Sequence, residues 1–347
     1  MHRLAALFAI IALPAFAQDW ATRELCYSDP DPVTAEDVLP HDLAALEAEA
    51  ARIPNARGRL WRIEHRSGGI SHLWGTMHVT LPQVLDLPEA LESAIESARL
   101  VAIEIDFTHP DRASMIGRYN EPGRYRDPGD AFLPEKALDL SYLGPKVEAA
   151  VIERLGGSDY GEELLYVMTY AGLAEHLLSD PCEDFTSGVI PSQDNYIQTL
   201  AHIAGVNIRG LESPSEFIAD LADDPDTARA MIALYASYLP RPERLQNFNA
   251  SVQLYLEGRL GLMATWEAAH MEATYGPEGI EALDRSDAYL LALRNERFVA
   301  RIAPELETGG VVLAVGAAHL SGETGLVELL RAEGHSVTRI PLPGEAP

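Results

Sequence analysis

The sequence predicts an α/β protein, of the α+β kind, whose mixed β-sheet is built from N- and C-terminal βαβ-type segments around a largely helical middle region. Three observations support this fold class. Residues 59–106 contain two β-rich runs, a helix pattern and a strongly apolar run. Residues 310–340 contain a strand, a helix and a strand in order. Between them, from about 110 to 300, apolar residues recur with the helical period.

The N-terminal part of the sheet is predicted to begin with a hairpin. Two runs rich in β-formers, residues 59–66 and 70–74, flank a Ser-Gly-Gly turn. A helix follows at 88–98, because it opens with proline and glutamate, which suit the first helical turn. The apolar run LVAIEID at 100–106 is then predicted to be a buried strand with acidic residues at its far end.

The middle of the chain is predicted to be helical, with one β-like interruption at 206–211 and a long surface loop at 111–134, which is rich in glycine and proline. The sheet pattern returns at the C-terminus, with strands at 310–315 and 335–340 and a helix at 323–333 between them. The individual helices predicted in the middle region lie at 143–155, 161–178, 194–205, 226–239 and 294–306.

The first seventeen residues, 1–17, are predicted to be a secretory signal peptide. A short basic start precedes an apolar stretch and a small-x-small sequence that ends at Ala17. An uncleaved anchor or a core helix is the alternative. Cleavage after Ala17 leaves residues 18–58 as an arm and a helix (at 41–53), followed by one domain at 59–347. We therefore expect an exported protein, periplasmic or secreted, with no integral membrane span in the mature chain.

The two cysteines of the chain, Cys26 and Cys182, are predicted to form a disulfide. An even pair in an oxidising compartment is most simply bridged, and two free buried thiols are the alternative. The chain contains no CxxC sequence, which argues against a thioredoxin-like redox function.

The net charge of −27 argues strongly against nucleic acid and an anionic membrane surface as partners, because no basic run offsets it. The acidic residues are spread along the chain, as is typical of a solvated acidic surface. The sequence leaves the oligomeric state open.

The two ends of the chain share a motif. HLWGTMH ends in Gly75-x-x-His78, VVLAVGAAH ends in Gly316-x-x-His319, and each follows an apolar run. Glycine permits a tight turn and a close backbone approach, and the histidine three residues later projects from the end of the strand. If the two strands lie side by side, both imidazoles border one cleft at the carboxyl edge of the sheet, where α/β proteins tend to build their sites.

Glu104 adds a carboxylate to this pair of histidines. The surrounding strand is otherwise apolar, so burying the charge is costly unless a cation compensates it. Two histidines and a carboxylate are a common ligand set for a catalytic divalent metal, and a salt bridge to Arg294 is the alternative. Asp106 and Asp194 are weaker candidates, for which a helix cap or a surface charge is the simpler interpretation.

Five stretches of the sequence resemble the TraB/GumN family. This family includes pheromone-shutdown proteins and polysaccharide-cluster accessory proteins, and it is distantly similar to the Tiki metalloproteases and to erythromycin-esterase-like enzymes. The resemblance runs from about residue 60 to residue 340, and its C-terminal block is the most specific part. The stretches are LWGTMHV, VAIEID, GLESPSEF, RNERFVARI and VVLAVGAAHLSGETGLVELLRAEGHSV.

The resemblance implies a metal-dependent hydrolase or a peptidase-like site. Its metal ligands fall on His78, His319 and Glu104, and the implied ion is Mn²⁺, Co²⁺ or Zn²⁺. Alternatively, Glu104 is the general base, and the metal is held by the histidines and another carboxylate.

The resemblance also places an Arg-Asn pair at Arg294-Asn295 and a Gly-Leu-Glu block that ends at Glu212. In this hypothesis, Arg294 stabilises a developing oxyanion, and the other two side chains orient groups around it. Tyr255 begins a Tyr-x-x-Gly stretch that resembles the family, but Arg259 follows its glycine where an acidic residue is usual. This departure puts a substrate-contact role for the stretch in doubt.

Together these observations predict an exported metal-dependent hydrolase that acts on a peptide or another small-molecule substrate. Two other functions stay open. One is a periplasmic binding protein for a peptide pheromone, haem or a metal ion, and the other is a catalytically silent accessory protein of polysaccharide biosynthesis. The sequence lacks the HExxH motif, the GxSxG elbow, the phosphate loop and the dinucleotide fingerprint, which disfavours the enzyme classes that depend on them.

Overall fold

The structure is a computed structural model of the 347-residue chain. The predicted signal peptide, Cys26, Cys182 and most of the loop predicted at 111–134 lie outside the described residues. For residues 243–246 the structure describes the backbone alone. The described residues are 43–106, 123–127, 129–131, 133, 137–156, 161–178, 191–240 and 243–345.

A six-stranded mixed sheet forms the centre of the fold, with strand order β4-β3-β5-β2-β1-β6. Strands β4, β3, β5 and β2 are mutually parallel, whereas β1 runs antiparallel to both of its neighbours. The C-terminal strand β5 therefore lies between the N-terminal strands β2 and β3, which confirms a sheet assembled from both ends of the chain. The strands are β1 (Leu60–Glu64), β2 (Ile70–Thr76), β3 (Leu100–Ile105), β4 (Asn207–Glu212), β5 (Val311–Gly316) and β6 (Ser336–Arg339).

The burial of each strand follows from its place in the sheet. All six residues of β5 are buried, and so are the first five of β3, because helices cover these central strands. Strand β1 lies nearer the edge and is only partly buried. The predicted hairpin is confirmed, since β1 and β2 pair with Leu60 opposite Trp74 and Glu64 opposite Ile70.

Helices occupy most of the remaining described residues. In that part of the chain, none is both long and apolar enough to cross a membrane. A π-helical segment at Ala288–Leu293 connects α12 to α13, and a 3-10 turn at Ala317–His319 follows β5. The helices are α1 (Leu43–Ala50), α2 (Pro82–Leu85), α3 (Glu89–Ser97), α4 (Gly144–Gly156), α5 (Leu164–Val167), α6 (Tyr170–Leu178), α7 (Gln193–Ile203), α8 (Pro214–Asp223), α9 (Pro225–Ser237), α10 (Glu243–Leu256), α11 (Leu260–Tyr275), α12 (Pro277–Asp287), α13 (Arg294–Thr308) and α14 (Leu326–Ala332).

The helical middle region differs from the sequence prediction in two respects: α8, α10, α11 and α12 were not predicted individually, and one predicted helix is interrupted. The prediction of a single helix at 161–178 is wrong, because the helix is interrupted between α5 and α6. Met168 forms a β-bridge with Tyr125. The carbonyl of Val167 accepts from the backbone N–H of Arg126, and the backbone N–H of Thr169 donates to the carbonyl of Arg124, so both groups pair outside the helix. The interruption lets α6 pack directly against the 123–125 segment.

Two main hydrophobic cores hold the molecule together. The first covers the sheet with α3, α7, α13 and α14, and includes Trp74 and Phe298, which are both fully buried. The second lies among the middle helices α4, α6, α8, α9 and α12. A smaller cluster packs α1 against α10 and α11. Burial of these side chains is the main stabilising contribution to the fold.

Glu267 lies on α11, in the helical part of the molecule. Ionisation of its carboxyl group lowers the stability of the folded protein. The hydroxyl of Tyr238 donates to its Oε1 atom over 3.1 Å. Burial, together with the negative charge of Asp287, raises the pKa of Glu267 to about 7. Between these two pKa values the folded protein therefore holds a proton that the unfolded chain releases. The free energy of unfolding falls as the pH rises from 4.5, the pKa of the unfolded chain, to about 7, the pKa of the folded protein.

We expect Glu267→Gln to remove this dependence. The variant should be more stable than the native protein at about pH 8, and its free energy of unfolding should change less between about pH 5 and pH 8. Urea denaturation at the two pH values measures both effects. Glu272→Gln, which changes an exposed residue of the same helix, is the matched control and should leave the profile as it is. An unaltered profile in Glu267→Gln would contradict this account.

Candidate functional site

The four parallel strands end at one edge of the sheet, and each brings a polar side chain to it. Glu104 is the fifth residue of β3, and Glu212 is the last residue of β4. His78 follows β2 by two residues, and His319 closes the 3-10 turn after β5. Because β2 and β5 are neighbours and pair in parallel, the two glycine-spaced histidines lie side by side, as the shared motif predicts.

Glu104 lies at the centre of this group. Its Oε1 atom accepts a hydrogen bond from the backbone N–H of Gly316 over 2.6 Å. The same oxygen lies 3.6 Å from Nε2 of His319 and 3.8 Å from Nε2 of His78. The other oxygen, Oε2, accepts from Nη2 of Arg294 over 2.5 Å. One carboxylate oxygen therefore faces both imidazoles, and the other faces the guanidinium.

Arg294 bridges two buried carboxylates. Besides Glu104, it binds Glu212, to which Nε donates over 3.0 and 3.1 Å. Burial opposes the charge of Arg294, but the two carboxylates outweigh it and raise the pKa of the guanidinium. Burial likewise opposes ionisation of Glu104, but Arg294 and the two histidines lower the pKa of that carboxyl group. At Glu212 burial prevails and raises the pKa. The Glu104–Arg294 salt bridge, the alternative raised from the sequence, is therefore present.

His319 is buried, and its tautomer follows from its neighbours. The Asn295 amide nitrogen donates to the carbonyls of His319 and Thr324, so the Asn295 amide oxygen must accept from Nδ1–H of His319, over 2.8 Å. Burial, with the nearby guanidinium of Arg294, lowers the pKa of His319 to about 3. At neutral pH the imidazole is therefore uncharged, and its Nε2 lone pair faces Glu104.

His78 differs from His319 in exposure and in charge. Its side chain is 42% exposed, and its Nδ1 atom lies 2.6 Å from Oδ2 of Asp194. Desolvation opposes the charged ring, but the carboxylates of Asp194 and Glu104 outweigh it and raise the pKa of His78 to about 9. Asp194 is itself buried and accepts from the hydroxyl of Thr76 over 2.8 Å. Its interpretation as a surface charge is therefore wrong.

Gly316 leaves a space between the polar groups. A Cβ atom at this position would lie 3.2 Å from Nε2 of His78, 3.3 Å from Oε1 of Glu104 and 3.6 Å from the ring of His319. The absent side chain thus leaves a narrow recess that all three groups border and in which a Cβ would press on His78 and Glu104.

Gln193 supports the site, although the sequence pattern did not single it out. This fully buried side chain accepts from the backbone N–H of Met77 over 3.1 Å, from Nε1 of Trp74 over 3.3 Å and from the hydroxyl of Tyr255 over 2.8 Å. It fixes the backbone immediately before His78. The sequence carries no signal for this role, because the partners of Gln193 are far away along the chain.

Tyr255 is also a support rather than a substrate contact. The side chain is fully buried, and its hydroxyl lies 2.9 Å from the carbonyl of Gly75. Arg259, the residue that departs from the family pattern, pairs with Glu47 on α1. The whole stretch therefore braces β2 and α1. All six residues that the sequence predicted for the site do come together: His78, Glu104, Glu212, Arg294, Asn295 and His319.

The fold and the site define a class of protein: an α/β protein with two glycine-spaced histidines and a buried carboxylate–guanidinium cluster at the carboxyl edge of its parallel strands. The model of the TraB/PrgY/gumN family matches residues 59–339, and the chain belongs to that family. The resemblance found in the sequence motifs is thereby confirmed. No significant match was found among curated proteins or among solved structures.

We expect the buried charge cluster to be a major determinant of stability. Arg294→Met leaves two buried carboxylates without a cation, so the free energy of unfolding at neutral pH should fall by about 3–5 kcal/mol. The matched control is Arg297→Met, one turn away on α13, where the arginine is partly exposed and pairs with Asp220. That change should cost less than about 1 kcal/mol. Equal losses in the two variants, measured by urea denaturation, would contradict this assignment.

Proposed function

We propose that this protein is a metal-dependent hydrolase whose ion is held by His78, His319 and Glu104. The observation that carries the proposal is the position of two imidazole Nε2 atoms at 3.6 and 3.8 Å from the same carboxylate oxygen. Two ligand atoms that share one tetrahedral ion at about 2.1 Å lie about 3.4 Å apart. The side chains need to approach by only a few tenths of an ångström.

The donor set and its surroundings suit a divalent ion. Each histidine has its Nδ1 atom bound to an oxygen acceptor, an arrangement that directs Nε2 toward a metal. A metal ion binds only neutral imidazole, so it must displace the proton that His78 carries at neutral pH. The three carboxylates Glu104, Glu212 and Asp194 are then accompanied by the single guanidinium of Arg294, which leaves two negative charges for a dication to balance. The recess beside Gly316 provides room.

One observation stands against a fully formed metal site. Among the described residues, no group of three or more His, Cys, Asp or Glu side chains is arranged to hold an ion as it stands. Arg294 also directs Nη1 toward Nε2 of His319, over 3.5 Å, and so competes for that lone pair. Binding of an ion therefore requires the guanidinium to shift its donors toward Glu212, with which it already makes several hydrogen bonds.

When bound, a divalent metal would supply an activated water molecule and a Lewis acid that polarises a carbonyl. The residues of the chain have separate roles in this proposal. Glu104 contributes a ligand oxygen and keeps Arg294 beside the reacting centre, where the guanidinium can stabilise an oxyanion. Asn295 holds His319 in one tautomer, and Glu212 holds the guanidinium.

We further propose that the protein is exported through its signal peptide to the periplasm or the exterior. Its substrates would be peptides or other small molecules with a hydrolysable carbonyl. The N-terminal sequence pattern supports export, and the resemblance to peptidase-like families supports the substrate class. The fold alone does not define a substrate, because many activities share one fold.

Metal binding and cleavage should depend on the same three residues. Purified protein should be stabilised against heat by Mn²⁺, Co²⁺ or Zn²⁺, and it should cleave members of a peptide library only when the ion is present. His78→Ala, His319→Ala and Glu104→Gln should each lose cleavage and weaken Co²⁺ binding at least about tenfold. Native protein that neither contains metal nor gains stability from these ions would refute the hydrolase.

The recess at Gly316 gives a second test, one that removes no polar group. The backbone angles of Gly316 (φ −49°, ψ 138°) are open to alanine, so Gly316→Ala should fold. Its methyl group would enter the recess and should weaken Co²⁺ binding at least about tenfold, because the ion and the methyl compete for one space. Gly156→Ala is the control, since a Cβ there meets no atom within 4 Å. Unchanged Co²⁺ affinity in Gly316→Ala would show that the ion binds elsewhere.

A binding or accessory function is the second candidate. The observation that favours it is the Glu104–Arg294 ion pair, in which the guanidinium already compensates the carboxylate. In that case Glu104→Gln would alter stability without altering any metal response. Haem binding would give a Soret band that is lost in His78→Ala or His319→Ala.

A further inference from the structure

The orientation of His78 depends on one hydrogen bond. Its ring is 42% exposed, so packing restrains it little, whereas His319 is buried and lies 5.3 Å from the ring of Phe298. Within the described residues, the ring of His78 makes its one hydrogen bond to Asp194, over 2.6 Å. An ionised carboxylate only accepts hydrogen bonds, so Nδ1 is the donor. The lone pair of the neutral ring is then on Nε2, the atom that faces Glu104.

Asp194 is itself held rigidly. It lies in the first turn of α7 and is 6% exposed. Its second oxygen accepts from the hydroxyl of Thr76, the last residue of the strand that leads to His78. The adjacent Gln193 accepts from the backbone N–H of Met77. Two consecutive residues of α7 therefore bind three consecutive residues of the strand end: the side chains of Thr76 and His78 and the backbone of Met77.

We propose that Asp194 is the positioning residue of the site, which holds His78 in the Nδ1–H tautomer with Nε2 directed at Glu104. In this proposal the first turn of α7, which lies outside both glycine motifs, contributes to the site. The inference for catalysis rests on the proposed hydrolase, but the geometric assignment does not. Asp194 acts only through His78 and is therefore not a catalytic residue.

Both histidines direct Nε2 toward Glu104, but they are held there by different contacts. His319 is fixed by burial and by the neutral amide of Asn295, which is covalently next to Arg294 on α13. His78 is fixed by a charged acceptor from another part of the chain, which compensates for the missing packing. Loss of Asp194 should therefore release the ring, whereas loss of an ordinary helix residue should not.

The test measures the tautomer and the metal affinity separately. In ¹⁵N-labelled, metal-free protein above the pKa of His78, native protein should give the Nδ1–H tautomer, and Asp194→Ala should lose it. Co²⁺ affinity, followed by its absorption spectrum, should fall about 10–100-fold in Asp194→Ala and less in Asp194→Asn, which keeps an acceptor. Thr76→Val should give a smaller loss than Asp194→Ala, because it removes the anchor of Asp194 and leaves the contact with His78.

Thr199→Ala, an exposed position on the same helix, is the control and should change neither measurement. A purely structural role for Asp194 predicts lower thermal stability with the His78 tautomer and the Co²⁺ affinity unchanged, and that result would overturn the proposal. If Asp194→Ala fails to fold, the same comparison is made with Asp194→Asn and Thr76→Val. A native protein that binds none of Mn²⁺, Co²⁺ and Zn²⁺ would refute the proposed hydrolase, while the tautomer change would still decide the role of Asp194.

Discussion

The guanidinium of Arg294 is the interaction on which the carboxyl edge of the sheet depends. It lies between Glu104 on β3 and Glu212 on β4, two carboxylates that neighbouring parallel strands bring together in a buried environment. Without a cation between them, both would carry the cost of desolvation and of mutual repulsion. Because Glu104 also accepts from the backbone of Gly316, the same cluster ties β5 to β3, and through α13 it connects the sheet to the helices.

This constraint also shapes the site. Arg294 occupies one oxygen of Glu104, so the other oxygen faces the two histidines. Glu104 therefore contributes both to stability and to the chemistry of the site. The guanidinium that pairs with it lowers its pKa, so the carboxylate stays ionised beside the imidazoles. The three side chains therefore depend on one another: Glu212 holds Arg294 in position, and Arg294 holds Glu104.

Much of the sheet could be predicted from the sequence, because apolar runs between turn sequences are a local signal. The matching glycine motifs placed both histidines at one cleft on the condition that β2 and β5 lie side by side, and the two strands do pair in parallel. The break between α5 and α6 could not be predicted, since it depends on pairing with a segment about forty residues away. Asp194 was only a weaker candidate for the same reason: its partner His78 is 116 residues distant, and an acidic residue in a first helical turn has an ordinary local explanation.

The unequal burial of the two histidines has a structural consequence for access. His319 is enclosed by α13 and the core, with a side chain only 5% exposed, whereas 42% of the His78 side chain is open to solvent. Within the part of the chain that the structure describes, the His78 side is therefore the more open approach to Glu104. The start of α7, which holds His78, lies beside that approach. Two motifs that look equivalent in the sequence thus differ in their surroundings: His319 lies in the buried part of the site, and His78 lies at its solvent-exposed side.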